Sequence, residues 1–428
     1  MDLVTVFVVM LIGVVYSWAI YNIPLLVVGV RKCRREKRHG EAGAQRSGEE
    51  HVQQQLPRFS VVIPARSEER VLPRLFRAIL NQNYPKENLE VIVVEDGSTD
   101  GTVGICKQFI KKNTGLMTLV HGDESRGKPS ALNRGLKAAQ GDIIAVFDAD
   151  NVPEEDALWN AAEYFQDASV AALQGRMLTV NSEVNMLTKF VSYEEAAWCE
   201  AYLRGRDALD LFVHLRGSCE FVRREVLERV GGWREDYLSD DFELSARLTE
   251  KGYRIKYAPD VRSWQESPQG LRAMFHQRAR WFRGAMEVAM SYGRLMRKPS
   301  RKTLDAEVTL LAPFVLILSL LSYLLGPFTI ANLGGSILFV ISVIGWALLT
   351  VTIFAGAVAL LYVARPKKLS DLLWAPFIYA YWVFQVFLAM WALVRILCRK
   401  PQQWKKTPRH GTVTLTDRSS HQQSEESG

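Results

Sequence analysis

The sequence predicts an α/β domain with a mostly parallel sheet, flanked by transmembrane α-helices. Between residues 58 and 150, apolar β-branched segments alternate with segments of helical periodicity, the pattern of a parallel sheet with helices on both faces. On either side of that region lie apolar runs that exceed the ~20 residues a helix needs to cross a bilayer. The 428 residues, 48% of them hydrophobic, suffice for a full-sized domain and for these runs.

The first apolar run covers residues 2–30 and carries one charge, at Asp2. A secretory signal peptide is the alternative, but this run is too long, has no basic segment before it and lacks a small-residue cleavage site. We therefore expect a retained N-terminal transmembrane helix over residues 1–30. The next segment, RKCRREKRHG, is rich in Lys and Arg, and the positive-inside rule places it in the cytoplasm. Residues 31–57 are therefore predicted to form a basic flank and a polar linker.

Three further apolar runs lie at about residues 308–332, 335–363 and 371–397. With one crossing before the α/β domain, three crossings after it would leave the basic segment CRKPQQWKK outside the cell, against the positive-inside rule. We therefore expect that one run, such as 371–397, is interrupted or lies at the membrane interface; the alternative is that the tail violates the rule. The protein is predicted to be a multi-pass protein of the plasma membrane with its α/β domain in the cytoplasm. Residues 301–400 form the C-terminal membrane region in this prediction, and residues 401–428 a disordered tail.

The charge and the cysteines exclude some classes of protein. The net charge of +7 owes much to the basic flank, and basic residues beside a membrane anchor normally meet anionic lipid, so we expect membrane lipids and no nucleic acid as partners. The five cysteines are scattered without pairing or metal-ligand spacing. They are typical of ordinary thiols in a reducing compartment.

Acidic side chains cluster where the predicted strands end. The first four strands are FSVVIPA, LEVIVVEDGS, LMTLVHG and DIIAVFDADN, with helices over EERVLPRLFRAILNQ and SALNRGLKAAQG between them. Ligands of open α/β sheets bind outside the carboxyl ends of the strands. Glu68, Asp96, Asp148 and Asp150 lie at those ends and predict a nucleotide-type pocket. After residue 152 the pattern becomes more helical, with short strands near 170–180 and 254–258.

Asp148 and Asp150, in FDADN, are candidate metal ligands. Alternate residues of a strand face the same side, so both carboxylates can point at one object. Two close carboxylates repel each other unless a cation neutralises them, and hard oxygen ligands favour Mg²⁺ or Mn²⁺. Such a cation would bridge a diphosphate and offset charge on a leaving nucleotide. The alternative is a solvated turn in which Asp150 or Asn151 caps a helix.

Two further motifs suit a bound nucleotide. In VVEDGSTDGT, Asp96 ends the second strand, where an acceptor can hydrogen-bond a base or ribose, and Gly97 and Ser98 permit a tight turn into the next helix. In SRGKPSALNRG, Lys128 lies on a glycine-containing loop before a helix, where it can meet phosphate. The alternatives are a plain Asp-Gly turn and a surface lysine.

Asp240 and Asp241, in YLSDDFELSARL, are predicted to begin a helix, because the leucines and the phenylalanine after them repeat at helical spacing. One of the two could be only a capping residue. The other could be a general base that deprotonates an acceptor hydroxyl for in-line attack.

The segment HQRARWFRG places Gln277, Arg280 and Trp281 at helical positions i, i+3 and i+4, and therefore on one face. Arg280 can bind a diphosphate through two hydrogen bonds, and Trp281 offers an apolar ring on which a sugar can stack while Gln277 hydrogen-bonds nearby. The alternative is a basic amphipathic helix on lipid headgroups, which we expect for Arg278 and Arg283.

These motifs, in this order, resemble those of the membrane-embedded, inverting family-2 glycosyltransferases, which include cellulose, hyaluronan and poly-N-acetylglucosamine synthases. The resemblance covers about residues 58–300. It implies a GT-A-type domain that binds a nucleotide sugar, usually UDP-linked, and a metal-dependent hexosyltransferase that uses Mg²⁺ or Mn²⁺ and inverts to form a β-linkage. It also implies that Asp148 and Asp150 bind the metal, that Asp96 binds the nucleotide and that Asp241 is the general base.

The remaining matches concern shorter motifs. PARSEE, with Glu68, is similar to the family's uridine-binding first loop, GKPSALN to its lysine loop with Lys128, and QRARW to its Gln-x-x-Arg-Trp motif. WKKTPR, residues 404–409, is typical of the segment after the last membrane helix. Asp240 stands where the family often has Glu. Hyaluronan synthases tolerate the same change, so the role implied for Asp241 is retained.

Two acceptors remain open. The main prediction is a saccharide acceptor in polysaccharide synthesis. However, the chain is also similar to cyanobacterial monoglucosyldiacylglycerol synthases in three segments, LRGSCEFVRREVLERVGGW, SDDFEL and HQRARW. Those enzymes add one sugar to a lipid, so a glycolipid synthase is the alternative. A third possibility, from another class of protein, is a non-catalytic scaffold or a channel. Apolar runs without buried charge argue against a channel, because an ion path needs polar groups within the membrane. A scaffold would not need the five polar motifs described above.

Overall fold

The computed structural model describes residues 3–43, 56–122, 124–293, 299–332, 375–401 and 407–411, together with five residues between 339 and 347. The chain packs as two compact units. The sheet unit comprises His39–Glu195, Val213–Met274 and Trp404–Gly428, and the helical unit comprises Met1–Arg38, Ala196–Phe212 and Phe275–Gln403. The domain predicted over residues 58–300 therefore contributes two of its segments to the helical unit.

The sheet unit is built on one mixed, mostly parallel sheet, as predicted. Its eight strands lie in the order β3-β2-β1-β4-β7-β6-β8-β5. Strands β1, β2, β3 and β4 are parallel to one another, β7 runs antiparallel to both of its neighbours, and β6 and β8 are parallel. The strands are β1 Phe59–Ala65, β2 Leu89–Asp96, β3 Met117–Gly122, β4 Ile143–Val146, β5 Val152–Pro153, β6 Val170–Thr179, β7 Glu220–Arg223 and β8 Arg254–Gln265.

Helices cover both faces of this sheet. On one face, Phe59, Val61 and Ile63 of β1 belong to a buried apolar cluster that also contains residues of α2, such as Leu75. On the other face α4 lies so close that a Cβ on its Gly135 would meet a methyl group of Val62. Burial on both faces explains why these strands are continuous apolar runs. The helices of the sheet unit are α2 Leu72–Leu80, α3 Thr102–Lys112, α4 Lys128–Ala138, α5 Ala157–Tyr164, α6 Met186–Ala197, α8 Arg224–Val230 and α9 Asp240–Glu250. The short helix α7 Arg204–Ala208 belongs to the helical unit.

The helical unit contains the long apolar helices. Within the described residues, three segments are long and apolar enough to cross a membrane: Val9–Glu36, Arg301–Ser322 and Ala380–Leu397. The N-terminal helix continues through the basic flank, and the last helix is unbroken, so the interruption expected within 371–397 is wrong for residues 375–397. The run predicted at 335–363 lies almost wholly outside the described residues. The long helices are α1 Leu3–Gly43, α10 Leu271–Tyr292, α11 Arg301–Asn332 and α12 Ala375–Leu397.

Helix α1 packs tightly against the chain around α7. A Cβ on Gly29 would collide with the carbonyl oxygen of Ala201, and a Cβ on Gly205 would collide with that of Leu25. Residues Trp198–Leu203, before α7, form a π-helical turn. Glycine is therefore required at this helix crossing because the two backbones lie in contact.

Charged side chains are buried and paired inside the helical unit. Asp305, at the start of α11, is fully buried and accepts hydrogen bonds from Arg206 Nε at 3.1 Å, Tyr21 Oη at 2.8 Å and the Phe212 amide at 2.9 Å. This buried charge lies just before the apolar run predicted from about residue 308. None of the five cysteines, all of which are described, forms a disulfide, as their spacing predicts.

Candidate active site

The parallel strands bring four loops to one edge of the sheet. Ala65 pairs with Glu95, and Asp96 pairs with Gly122, so the ends of β1, β2 and β3 lie side by side. The loop with Glu68 packs on the loop after β2: the Glu68 amide donates to Thr102 Oγ1 at 2.7 Å. Glu68 and Asp96 therefore lie on neighbouring loops, as the sequence predicts.

Asp96 is almost fully buried and holds the loop that precedes α4. Its Oδ2 accepts from Ser125 Oγ at 2.8 Å and from the Gly127 amide at 3.0 Å, and its Oδ1 accepts from the Arg126 amide at 3.2 Å and from Arg134 Nη2 at 2.5 Å. These four donors all belong to that loop or to α4.

Lys128, the first residue of α4, joins the loop to the Asp-x-Asp segment. Its Nζ donates to Asp148 Oδ1 and to the Gly217 carbonyl, both at 2.6 Å. Burial by itself would lower the pKa of Lys128, but the Asp148 carboxylate beside it raises that pKa above the ordinary value. Lys128 therefore carries a positive charge at the carboxyl end of β4.

Asp148 and Asp150 lie on a tight turn after β4 rather than on the strand. The Asn151 amide donates to the Asp148 carbonyl at 2.9 Å, and β5 follows directly. The helix-cap alternative is therefore wrong, because no helix begins here. Asp148 is partly exposed and Asp150 is buried, so the two carboxylates stay close in the chain but differ in access to solvent.

Asp150 is paired with a segment of the C-terminal tail. Arg409 Nε lies 3.3 Å from Asp150 Oδ2, and the amides of His410 and Gly411 each donate to the carboxylate of Glu266 at 2.9 Å. Burial raises the pKa of Asp150, and the Arg409 charge opposes that rise. Residues 407–411 are thus ordered against the sheet unit, within the tail predicted to be disordered, because their backbone and their arginine satisfy buried acids.

A second group of acids surrounds Gly217. Helix α9 begins at Asp240, as predicted, and a Cβ on Gly217 would lie 3.2 Å from Asp241 Oδ2 and 3.4 Å from Lys128 Nζ. Glu220 is fully buried and accepts the Gly217 amide at 3.0 Å. Burial and the nearby Asp241 charge raise the pKa of Glu220 to about 8, and burial raises that of Asp240 to about 7. The partly exposed Asp241 is the acid of this group best placed to act as a base.

The residues of the Asp-x-Asp turn fit a divalent cation. Among the described residues no group of three or more His, Cys, Asp and Glu side chains could hold a metal ion. Mg²⁺ is commonly bound by one or two carboxylates, with substrate phosphates and water as the other ligands. Each carboxylate is paired with a cationic side chain, Asp148 with Lys128 and Asp150 with Arg409.

The Gln-x-x-Arg-Trp residues lie on α10, in the helical unit, and their role at the site stays a prediction. The Arg278 guanidinium lies 4.5 Å from the Trp281 ring centroid, and so covers one face of the ring. Arg278 and Arg283 are almost fully buried, and Arg283 donates to the Lys400 carbonyl at 2.8 Å. The expectation that these two arginines meet lipid headgroups is therefore wrong, because they bind protein.

Sequence reasoning missed several residues of the site. Glu220 lies on β7, a strand of four residues with no alternation to reveal it. Glu266 directly follows β8. An acidic residue at the end of a strand is a signal that could have identified it as a candidate site residue. Arg134 and Arg409 lie in segments that the sequence assigns to a helix surface and a tail, so only their tertiary contacts identify them.

Comparisons with known proteins agree with this geometry. A family model described as glycosyltransferase like family 2 matches residues 57–284. A β-monoglucosyldiacylglycerol synthase from Nostoc sp. is 34% identical over 276 residues, which are 63% of this chain and 58% of that protein. A poly-β-1,6-N-acetyl-D-glucosamine synthase from Staphylococcus aureus is 28% identical over 237 residues, which are 55% of this chain and 56% of that protein. The match thus spans less than two thirds of the length of these relatives.

One solved structure shows the same fold. The mannosyltransferase PcManGT from Pyrobaculum calidifontis, in complex with GDP-Man and Mn²⁺, superposes with a TM-score of 0.56 at 23% sequence identity. The superposition covers 91% of this chain and all of that chain.

Proposed function

Because the chain belongs to the glycosyltransferase-like family 2, we propose that it is a membrane-bound, metal-dependent enzyme that transfers a hexose from a nucleotide sugar, with inversion, to an acceptor hydroxyl. One observation carries this proposal: Lys128, Asp148 and Asp241 lie around Gly217 at the carboxyl end of the sheet. Lys128 can bind phosphate, Asp148 can bind a metal ion and Asp241 can accept a proton, so the three groups that this reaction needs lie together.

The donor lies with its diphosphate near Lys128 and the Asp-x-Asp turn. Asp148 and Asp150 would hold Mg²⁺ or Mn²⁺, which supplies charge neutralisation to the leaving nucleoside diphosphate. Lys128 binds the same phosphates, and Arg280 adds two hydrogen bonds as negative charge develops there. Glu68 and the loop of Asp96 border the nucleotide. UDP is the expected nucleotide, and the GDP-Man bound by PcManGT makes GDP the second candidate.

Asp241 removes the proton from the acceptor hydroxyl. A carboxylate suits this step because the sugar or glycerol hydroxyl becomes acidic only as the new bond forms. Attack from the side opposite the leaving diphosphate inverts the anomeric carbon and gives a β-linkage from an α-linked donor. Trp281 and Gln277 are proposed to contact the sugar, the first by stacking and the second by hydrogen bonding.

The acceptor is a saccharide or a lipid. A growing polysaccharide is the acceptor that the sequence motifs favour, and the likeness to the S. aureus synthase supports it. The higher identity and longer match to the Nostoc synthase support a lipid that receives one sugar. Both acceptors are compatible with a membrane protein whose described part contains three helices apolar enough to cross a bilayer. The basic flank supports a cytoplasmic sheet unit in a multi-pass plasma-membrane protein.

The test uses the full chain purified in detergent. Labelled UDP-glucose, UDP-N-acetylglucosamine, UDP-galactose and GDP-mannose are supplied with Mg²⁺ or Mn²⁺ and with diacylglycerol or an oligosaccharide, and the product is sized. We expect Asp241→Asn to lower the transfer rate about 10²- to 10⁴-fold, because it removes the general base. Asp236→Asn, five residues away and exposed, is the control that keeps full activity. Equal transfer by the Asp241→Asn variant would refute the assignment.

A further inference from the structure

The exposed large apolar side chains of the sheet unit are confined to two turns. Among the described residues of that unit they are Val184, Met186 and Leu271, which are 46%, 48% and 65% exposed. Val184 and Met186 lie at the turn between β6 and α6, and Leu271 is the first residue of α10, which follows β8. We call these three side chains the apolar tip. Single exposed apolar residues are normal anywhere on a protein surface, so the feature to explain is their grouping.

The sheet holds the two turns of the apolar tip side by side. Strands β6 and β8 are parallel neighbours and end in register, with Thr179 paired to Gln265. Beyond the strand ends, Asn185 Nδ2 donates a hydrogen bond to the Gln269 carbonyl at 2.9 Å. The apolar tip therefore lies on two turns that are bonded to each other.

The turn before α6 satisfies its own backbone. Asn185 Oδ1 accepts the Thr188 amide at 3.0 Å, and Thr188 Oγ1 accepts the Asn185 amide at 3.1 Å, the reciprocal bonds of a helix N-cap. The Val184 amide donates to the Asn181 carbonyl at 3.2 Å. Amides that are bonded within the protein can enter a less polar layer without losing a bond to water.

Both turns begin helices that continue into the helical unit. Helix α6 enters that unit at Ala196, and α10 enters it at Phe275, which lies about 6 Å along the helix from Leu271. The described part of the helical unit contains the segments apolar enough to cross a membrane. The chain therefore ties the apolar tip to the membrane segments through two helices.

The size and the charge of the apolar tip favour lipid over a protein partner. A stable protein interface takes about 800 Å² and about 20–30 residues from each partner, whereas the apolar tip consists of three side chains. Arg272 is exposed next to Leu271, Lys189 is partly exposed one turn after Met186, and the acid Glu183 is exposed on the same turn. Apolar side chains with cations beside them are typical of segments that lie on anionic headgroups.

We propose that the apolar tip inserts into the headgroup layer of the membrane and is a lipid-contact surface of the sheet unit. The carboxyl ends of β6 and β8 lie at the same edge of the sheet as that of β4, because β7 runs antiparallel to both of its neighbours. This contact therefore holds the edge with the candidate active site at the membrane surface. The inference goes beyond the transfer reaction but rests on the membrane placement in the proposed function.

The experiment measures how deep single fluorescent labels lie in a bilayer. The full chain carries Cys398→Ser, since the other four cysteines are buried, and one of Met186→Cys, Leu271→Cys, Phe387→Cys or Lys107→Cys. Each variant is labelled with the fluorophore NBD and placed, one chain per disc, in nanodiscs of phosphatidylcholine and phosphatidylglycerol. The lipid carries a nitroxide quencher either near the headgroup or deep in the acyl chain.

Two of these sites are controls. Phe387 is exposed within Ala380–Leu397, a segment apolar enough to cross a membrane, and reports the hydrocarbon layer. Lys107 is exposed on α3, which packs on the edge strand β3. Five strand spacings, about 24 Å, separate β3 from β6, so the Lys107 site reports a part of the sheet unit away from the apolar tip.

We expect the shallow nitroxide to quench the Met186 and Leu271 sites at least about threefold more than the Lys107 site, because interfacial segments lie about 5–10 Å into the headgroup and acyl boundary. The deep nitroxide should quench the Phe387 site most. Adding Leu271→Glu should lower the quenching at the Met186 site toward the value at Lys107, because a charge opposes insertion. The Phe387 site should stay quenched in that variant, which shows that the chain remains in the bilayer.

Three outcomes would contradict the inference. Quenching at the Met186 and Leu271 sites equal to that at Lys107 overturns it and leaves the proposed transferase intact. Protection of both sites from a water-soluble quencher, without quenching by either nitroxide, assigns the apolar tip to a protein contact and also overturns it. An unquenched Phe387 site contradicts the membrane placement in the proposed function itself.

Discussion

Glu220 gives a prediction about stability and pH that follows from its burial. The side chain is fully buried and its Oε2 accepts the Gly217 amide. Lys128, Asp240 and Asp241 are the charged neighbours that influence its pKa. Glu220→Gln keeps the shape and the acceptor for Gly217 but removes the ionisable group, so it isolates the effect of one buried carboxyl.

The sign and the size follow from the raised pKa. The pKa of Glu220 is about 8 in the folded protein against 4.5 for the ordinary group, so between these values the folded state binds the proton that the unfolded state has lost. Stability therefore falls as pH rises through this window, by about 1.4 kcal/mol per pH unit and about 4 kcal/mol between pH 5 and pH 8. For a unit of this size that corresponds to roughly 8–16 °C in Tm.

The assay is thermal unfolding of the full chain in detergent, followed by tryptophan fluorescence between pH 5 and pH 8. We expect Glu220→Gln to lose much less Tm than the parent as the pH rises, and to be the more stable of the two at pH 8. Glu87→Gln, on the exposed surface, is the control and should follow the parent. Parallel Tm curves for Glu220→Gln and the parent would show that this carboxyl is ionised in the folded state and would refute the reasoning.

Two other predictions concern the tail and the helix crossing. Arg409→Gln should tighten Mn²⁺ binding, measured by calorimetry without nucleotide, by about 3- to 10-fold. The reason is that the guanidinium 3.3 Å from Asp150 repels the cation and competes with it for the carboxylate. Weaker Mn²⁺ binding by the variant would contradict this. Gly29→Ala should lower the free energy of unfolding by about 2 kcal/mol or more, because its methyl group would collide with the Ala201 carbonyl. Gly13→Ala on the same helix has open space and should be neutral or slightly stabilising, so equal Tm values for the two variants would exclude the crossing as the cause.

Much of the framework could be predicted because it depends on local pattern. The apolar run at 59–65 becomes β1 with the same bounds, and Asp240 begins α9 because the acids of its first turn favour a helix start. Asp148 was singled out correctly as a residue at a strand end, although it lies on a turn. Residues within a few positions of one another decide such features, so the sequence alone reveals them.

Other features depend on contacts between distant positions. Glu220 meets Lys128 and Asp241 only because β7 runs antiparallel beside β4, and Arg409 reaches Asp150 across more than two hundred residues. No periodicity records such pairings, since the energy that selects them comes from burying and neutralising charges in the assembled fold. The amino-acid sequence by itself therefore determined the parallel strands β1 to β4, the apolar helices and the motif acids. Tertiary structure alone decided which charges face those acids, because charge pairing acts through space and not along the chain.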